Sequence, residues 1–276
     1  MRRKLDLRWI AVGLILVPQL ALSQEGASGL EVVEVDEQLT LVLGRGGNSA
    51  IFVGEDQAVV IDTKGGESAK ALQALVAEKA AGRALTIINT HYHGDHIRGN
   101  VLYPGARVMA GAYAREEWEE DAGGVPYPDV VIEEETEIEL GSERLRLLPT
   151  GQAHTWSDVV VIFQERGVML TGDLIFEGSH PVMKKEHGTD SDKWERALER
   201  LMEACACGTV VPGHGPVSDM NALSRMRDYF AEIRGALGDE ERLAAVRAKY
   251  GGRTAYPNLS GFDVTVDYMR WEAAGD

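Results

Sequence analysis

The chain has only two cysteines in 276 residues, Cys205 and Cys207, which excludes a disulfide framework. With one residue between them a mutual bridge would be strained, so the expectation is two small residues packed near a helix end. Positive charge is also short. Lys and Arg number 28 against 44 Asp and Glu, for a formal charge of −16. Such a surface repels phosphate backbones and argues against a nucleic-acid partner. The apolar run from Trp9 to Leu22 is broken at Pro18 and falls short of the about 20 residues that a bilayer span needs. There is no sequence repeat at a fixed period. The 44% apolar and 26% charged residues exclude a chain disordered as a whole, and the length suits one large domain with a buried core.

The opening residues differ from the rest. Arg2, Arg3, Lys4 and Arg8 precede the apolar run, which ends in Ala21-Leu22-Ser23, the small residues that a signal peptidase reads. Residues 1–23 are therefore expected to be a signal peptide cleaved before Gln24. No cysteine follows the run, which argues against a lipoprotein. Cleavage would remove four cations and Asp6 and take the formal charge from −16 to −19. The expectation is an acidic periplasmic or secreted protein with no stable membrane insertion.

Hydrophobic periodicity then organises the chain into two similar rounds. Strands are expected around Val33 and Val35, and over Leu39–Leu43, Ala50–Val53 and Ala58–Ile61, with Gly44, Gly46, Gly47 and Gly54 at the turns. A helix with Leu72, Leu75, Val76 and Ala80 on one face stops at Gly82, and the strand Leu85–Ile88 follows. The second round begins near Val131. Ile138 and Leu140 pair with Leu145 and Leu147 across Gly141-Ser142, then come Val159–Phe163 and Val168–Leu170. A helix from Asp192 carries Trp194, Leu198, Leu201, Met202 and Cys205 on one stripe, before a strand Thr209–Val211. Leu223, Met226, Phe230, Ile233 and Leu237 mark a last amphipathic helix, and the remainder is weakly patterned. The expected class is α+β, with two sheets sandwiched between helices and chemistry on the strand-end loops.

Three of the seven histidines fall within His91-Tyr92-His93-Gly94-Asp95-His96, at the end of an apolar strand. Zinc takes neutral imidazole and carboxylate ligands, and these donors exceed what one site needs, which points to two metals. His154, Asp173 and His214 also lie at ends of expected strands or turns. In this order the motifs resemble the metallo-β-lactamase superfamily of metallohydrolases, whose signature is H-x-H-x-D-H, then a histidine, a bridging aspartate and a last histidine. The resemblance covers roughly residues 30–217. It implies a four-layered αββα sandwich over residues 24–217, with 218–276 as a helical extension completing the domain. It further implies one zinc held by His91, His93 and His154, and a second by Asp95, His96 and His214, with Asp173 bridging. Asp62 would orient the site from behind.

There is no His-Glu-x-x-His helix and no Gly-x-Ser-x-Gly elbow. The resemblance thus implies hydrolysis of a small carbonyl substrate (β-lactam, lactone or thioester) by a metal-bound hydroxide, with Asp95 orienting it and relaying its proton. The alternative is a metal-binding or relay protein of the same fold with little turnover. Asp173 stands where the largest zinc β-lactamase subclass has cysteine, which argues against that subclass. The export signal and acidic tail count against a glyoxalase-type enzyme, which acts inside the cell. The nuclease branch needs a large inserted domain, and the diiron flavoprotein branch an appended flavin domain. In the stretch after Asp173, His180 is a candidate substrate contact, Lys184 or Lys185 a candidate carboxylate partner, and Trp118, Tyr127 and Trp156 candidate cleft aromatics. The oligomeric state is not written in the sequence.

Overall fold

Short turns between apolar runs make the start of the chain a meander, and helical crossovers extend it. In the computed structural model, which describes residues 24–25, 29–113, 115, 118 and 122–275, these runs form one eight-stranded sheet. Its strands are β1 (Gln24–Glu25), β2 (Glu31–Glu34), β3 (Leu39–Leu43), β4 (Ser49–Val53), β5 (Gln57–Ile61), β6 (Ala84–Ile88), β7 (Arg107–Gly111) and β8 (Val130–Ile132). They lie in sequence order, antiparallel as far as β5 and parallel from there to β8. The change of direction needs a crossover, which helix α1 (Gly66–Ala80) supplies. The expected signal segment lies outside the described residues.

The second sheet has five strands in the order β13-β12-β11-β10-β9. These are β9 (Thr136–Glu139), β10 (Arg144–Gly151), β11 (Asp158–Phe163), β12 (Val168–Phe176) and β13 (Thr209–His214). Only β12 and β13 pair in parallel, and between them runs α3 (Ser191–Ala204). α3 follows the short α2 (Gly94–Ile97) in chain order, and its first turn is capped by Asp190, which accepts from the Lys193 amide at 2.9 Å.

Three apolar layers follow from these elements. Leu41, Phe52, Val59 and Ile61 of the first sheet meet Leu145, Val159, Val161 and Phe163 of the second. Leu72, Val76 and Ala80 of α1 cover the outer face of the first sheet, on Val42, Ile51, Val60 and Ile87. Trp194, Leu198 and Leu201 of α3 cover the outer face of the second, together with α4 (Asn221–Arg234), α5 (Glu240–Tyr250) and α6 (Phe262–Ala274). The result is the expected αββα order of layers.

One sequence expectation needs correction. Cys205 and Cys207 are bridged: α3 ends at Ala204, Cys205 is extended, and the Cα atoms lie 5.2 Å apart, within the span a disulfide closes. After Leu237, where the sequence is only weakly patterned, the chain forms α5 and α6. α5 buries only Leu243 and Val246, whereas α6 buries Phe262, Thr265, Val266 and Met269, a single short stripe.

These helices are tied to the loop after β12 by His180. Its ring is buried, with Nδ1 2.8 Å from the Tyr229 hydroxyl of α4, which donates on to Thr265 Oγ1 of α6 at 3.1 Å. Burial, with the Arg253 cation beside it, pulls its pKa down to about 4. The unfolded chain would bind a proton near pH 6.5 that the folded one refuses, so this histidine's contribution is lost as pH falls from about 7 towards 4. His180→Gln should therefore flatten the pH dependence of stability. Between pH 7.5 and 5, urea unfolding of the unsubstituted chain should lose about 1–2 kcal/mol more than the variant does. Equal losses would refute the role.

Candidate metal centre

Parallel strands bring their C-terminal ends to one edge, and the donors sit on the segments that leave this edge. His91 follows β6. His93 caps the N-terminus of α2, a helix so short that it serves to turn Asp95 and His96 inward. His154 lies in the loop between β10 and β11, Asp173 within β12 and His214 at the end of β13. All seven residues singled out from the sequence are brought together in two groups. His91, His93, His154 and Asp173 form one, and Asp95, His96 and His214 the other, with the donor atoms of each group within 4.8 Å of one another.

Asp173 stands between the groups. Its Oδ2 lies 3.4 Å from His154 Nε2 and 3.7 Å from His91 Nε2, while Oδ1 lies 3.1 Å from His96 Nε2 and 3.4 Å from His214 Nε2. Asp62 holds the assembly from behind. Its Oδ2 meets His96 Nδ1 at 2.7 Å, and its two oxygens accept from the amide and hydroxyl of Thr90, whose Oγ1 is 3.1 Å from His91 Nδ1. Such contacts set which ring nitrogen faces the centre.

The electrostatics divide the site in two. Burial, reinforced by neighbouring imidazoles, holds His91 and His93 well below the ordinary histidine value and His154 at about 4, so this group is neutral and ready to donate lone pairs. In the other group burial pulls His214 down, but the charge of Asp173 and the close approach of the Asp173 and Asp95 carboxylates lift it to about 9. His96 is likewise raised by Asp173, Asp62 and Asp95 despite its burial. Buried His96 Nε2 and Asp173 Oδ1 face each other at 3.1 Å, yet among the described residues neither atom makes a well-aligned hydrogen bond. Unpaired buried polar atoms are costly, and two of them converging in a cluster of imidazoles and carboxylates fit a divalent ion of the zinc type.

Several supporting residues were not singled out from the sequence. Lys64, fully buried, donates from Nζ to the carbonyls of Gly44 at 3.0 Å and Gly47 at 2.6 Å, and burial pushes its pKa down to about 7 against the pull of Asp62 and Asp95. It thereby fixes a loop that touches the second donor group. The Gly47 amide donates to Asp95 O at 3.2 Å, and a Cβ on Gly47 would stand 2.2 Å from the His96 ring. Asn48 secures the same loop to β13 through Pro212 O and Gly215 O, each at 2.9 Å. A lysine two residues beyond Asp62 was the available signal. His187 lies against His93, yet 94 residues separate them in sequence.

A cavity of about 730 Å3 opens over the centre. Its aromatic walls are Tyr92, Phe176 and Tyr256. Apart from Asp95 and Asp173, its carboxylate is Glu31, facing the cations Arg45, Arg98 and Lys184. Of the other sequence candidates, Trp118 is in the core with Tyr113, Tyr127 packs on that cluster, and Trp156 lies over Gly188. Lys185 sits on the Trp271 ring at 4.1 Å, and buried His180 faces Tyr229.

An αββα sandwich with imidazoles and carboxylates gathered at one edge defines a metal-dependent hydrolase. Residues 42–214 match the family model described as the metallo-beta-lactamase superfamily, and the chain belongs to that superfamily. It is 32% identical over 232 residues to a hydroxyacylglutathione hydrolase of Gloeobacter violaceus, covering 81% of this chain and 84% of that one. A protein of the same name from Methylococcus capsulatus is 31% identical over 118 residues, 42% of each chain. Among solved structures, a metallo-beta-lactamase from Pontibacter korlensis superposes with a TM-score of 0.65 at 23% identity, over 73% of this chain and 99% of that one. The DIM-1 metallo-beta-lactamase exposed to ceftazidime gives 0.62 at 17% identity, over 73% and 96%.

Proposed function

We propose that this chain is an exported dinuclear zinc hydrolase that cleaves small thioesters. The observation that carries the two-ion reading is Asp173, which turns one oxygen to each donor group. His91, His93 and His154 would hold one ion, Asp95, His96 and His214 the other, and Asp173 would serve both. When bound, such ions acidify water into a nucleophile near neutral pH and polarise the substrate carbonyl. The chain's own residues do the rest. Burial, foremost, would raise the Asp95 carboxyl, but His96 and His214 hold it well below the usual carboxylate range. It is therefore ionised, with Oδ2 3.3 Å from His214 Nε2, able to orient the attacking water and take its proton. Water adds to the carbonyl carbon, the C–S bond breaks, and the proton passes to the departing thiolate, giving an acid and a thiol.

Arg45, Arg98 and Lys184 favour a substrate bearing carboxylates away from the reacting carbonyl. The likeness to hydroxyacylglutathione hydrolase, spread over most of both chains, supports a thioester of that kind. It outweighs the two features that counted against this branch: the cations line the cavity itself despite the acidic tail, and export changes where the thioester would be met rather than the chemistry of its cleavage. The β-lactamase neighbours support the fold alone, at 17–23% identity. A panel of a hydroxyacylglutathione thioester, a homoserine lactone and a cephalosporin, each offered to zinc-loaded protein, tests the reading. Turnover should be highest on the thioester, and turnover confined to the cephalosporin would overturn it.

Export rests on the basic and apolar opening of the chain, and a Cys205–Cys207 bridge suits an oxidising compartment. Mass spectrometry of natively expressed protein should find a chain beginning at Gln24 outside the cytoplasm. An intact N-terminus in a membrane fraction would contradict it.

A further inference from the structure

His93 differs from the other imidazoles in how it is presented. Its Nδ1 lies 3.1 Å from His91 Nε2 and 3.0 Å from His154 Nε2, so Nδ1 is the nitrogen that faces the donor group. Its Nε2 points the other way, 2.7 Å from Nδ1 of His187. A neutral imidazole that donates its lone pair through Nδ1 must carry its proton on Nε2. The atom waiting for that proton is His187 Nδ1.

The placement of His187 is built. It ends a one-turn 3-10 helix, Lys185–His187, closed by Gly188 at φ 78° with the Gly188 amide donating to Lys185 O at 3.0 Å. Trp156 lies flat on Gly188, where a Cβ would come within 2.3 Å of the indole. Gln152 Nε2 donates to Gly188 O at 2.9 Å, and Thr189 Oγ1 to His154 O at 2.7 Å. From α6, the Tyr268 hydroxyl donates to Thr189 O at 2.8 Å. The turn carrying His187 is thus pinned to the loop carrying His154, and His187 reaches across to His93 from that shared base.

We propose that His187 is a positioning residue for the three-histidine metal site: it accepts the Nε2–H of His93 and fixes the tautomer in which Nδ1 is free to bind the ion. The proposal rests on the metal-hydrolase reading above and adds a residue outside the seven donors. Carboxylate or carbonyl partners commonly do this for metal-binding histidines, and losing one weakens metal binding about 10- to 100-fold. Here the partner is a second imidazole, supplied by the loop that also places Lys184 in the cavity.

The test is a zinc titration of the full chain against a chromophoric chelator, which yields two stepwise constants. His187→Leu removes the acceptor, and His187→Asn restores an oxygen near the Nδ1 position in a side chain of the same shape as leucine. The Leu variant should weaken one of the two constants about 10- to 100-fold and leave the other near the unsubstituted value, while the Asn variant stays within about threefold of the unsubstituted chain. A Leu variant within about twofold of the unsubstituted protein, or equal weakening in Leu and Asn, would overturn the proposal. Because His187 is half-buried in a surface turn, thermal melts of metal-free Leu and Asn variants should coincide. An unsubstituted chain that binds no zinc would overturn this inference and the proposed function together, whereas a normal pair of constants in every variant would overturn the inference alone.

Discussion

Asp173→Asn should leave the purified protein nearly free of metal and lower turnover by about 10³-fold or more. The size of the effect follows from the position of one carboxylate. Its Oδ2 faces His91 and His154, and its Oδ1 faces His96 and His214. Burial would raise Asp173, yet the surrounding imidazoles keep it well below the usual carboxylate range, so it is charged in the folded protein. The amide keeps the shape, removes the charge and turns an NH2 group towards nitrogens that also have hydrogens or lone pairs to place. Both donor groups lose a ligand at once. Elemental analysis of the variant checks this. Retention of both ions would show that the groups are independent and that Asp173 is not shared between them.

Asp95→Asn should behave differently. This residue is 43% exposed at its side chain, lies in the cavity wall and belongs to one group only. Its replacement removes the proton-accepting charge beside His214 while His91, His93 and His154 stay intact. Turnover should fall by about 10²- to 10⁴-fold, the range of a lost general base, whereas the three-histidine site should largely keep its ion. Activity and metal content are to be measured on the same sample. Near-normal turnover would remove Asp95 from the chemistry, and equal loss of both ions with activity would reduce it to a ligand.

Much of this architecture was legible because the signals were local. Runs such as Leu39–Leu43 and Val159–Phe163 announce buried strands, and three imidazoles within six residues announce a donor cluster whatever the fold. What escaped depends on contacts between distant segments. β7 (Arg107–Gly111) follows a Pro104-Gly105 turn, but its own apolar run is only Val108-Met109-Ala110, and pairing with β6 and β8 makes it a strand. α5 and α6 each bury so few residues that periodicity barely registers them. Cys205 was expected on the stripe of α3, but the helix stops one residue earlier, and the extended backbone makes a bridge to Cys207 feasible. Lys64 and His187 are a lone lysine and a lone histidine in sequence. They acquire meaning only when folding sets one against Gly44 and Gly47 and the other against His93.

The central claim is that two ions share one site, and the metal content of the protein tests it most directly. Protein purified with zinc present and dialysed against metal-free buffer should retain close to two zinc ions per chain, since seven donors in two groups converge on Asp173. Less than one ion per chain would contradict the account.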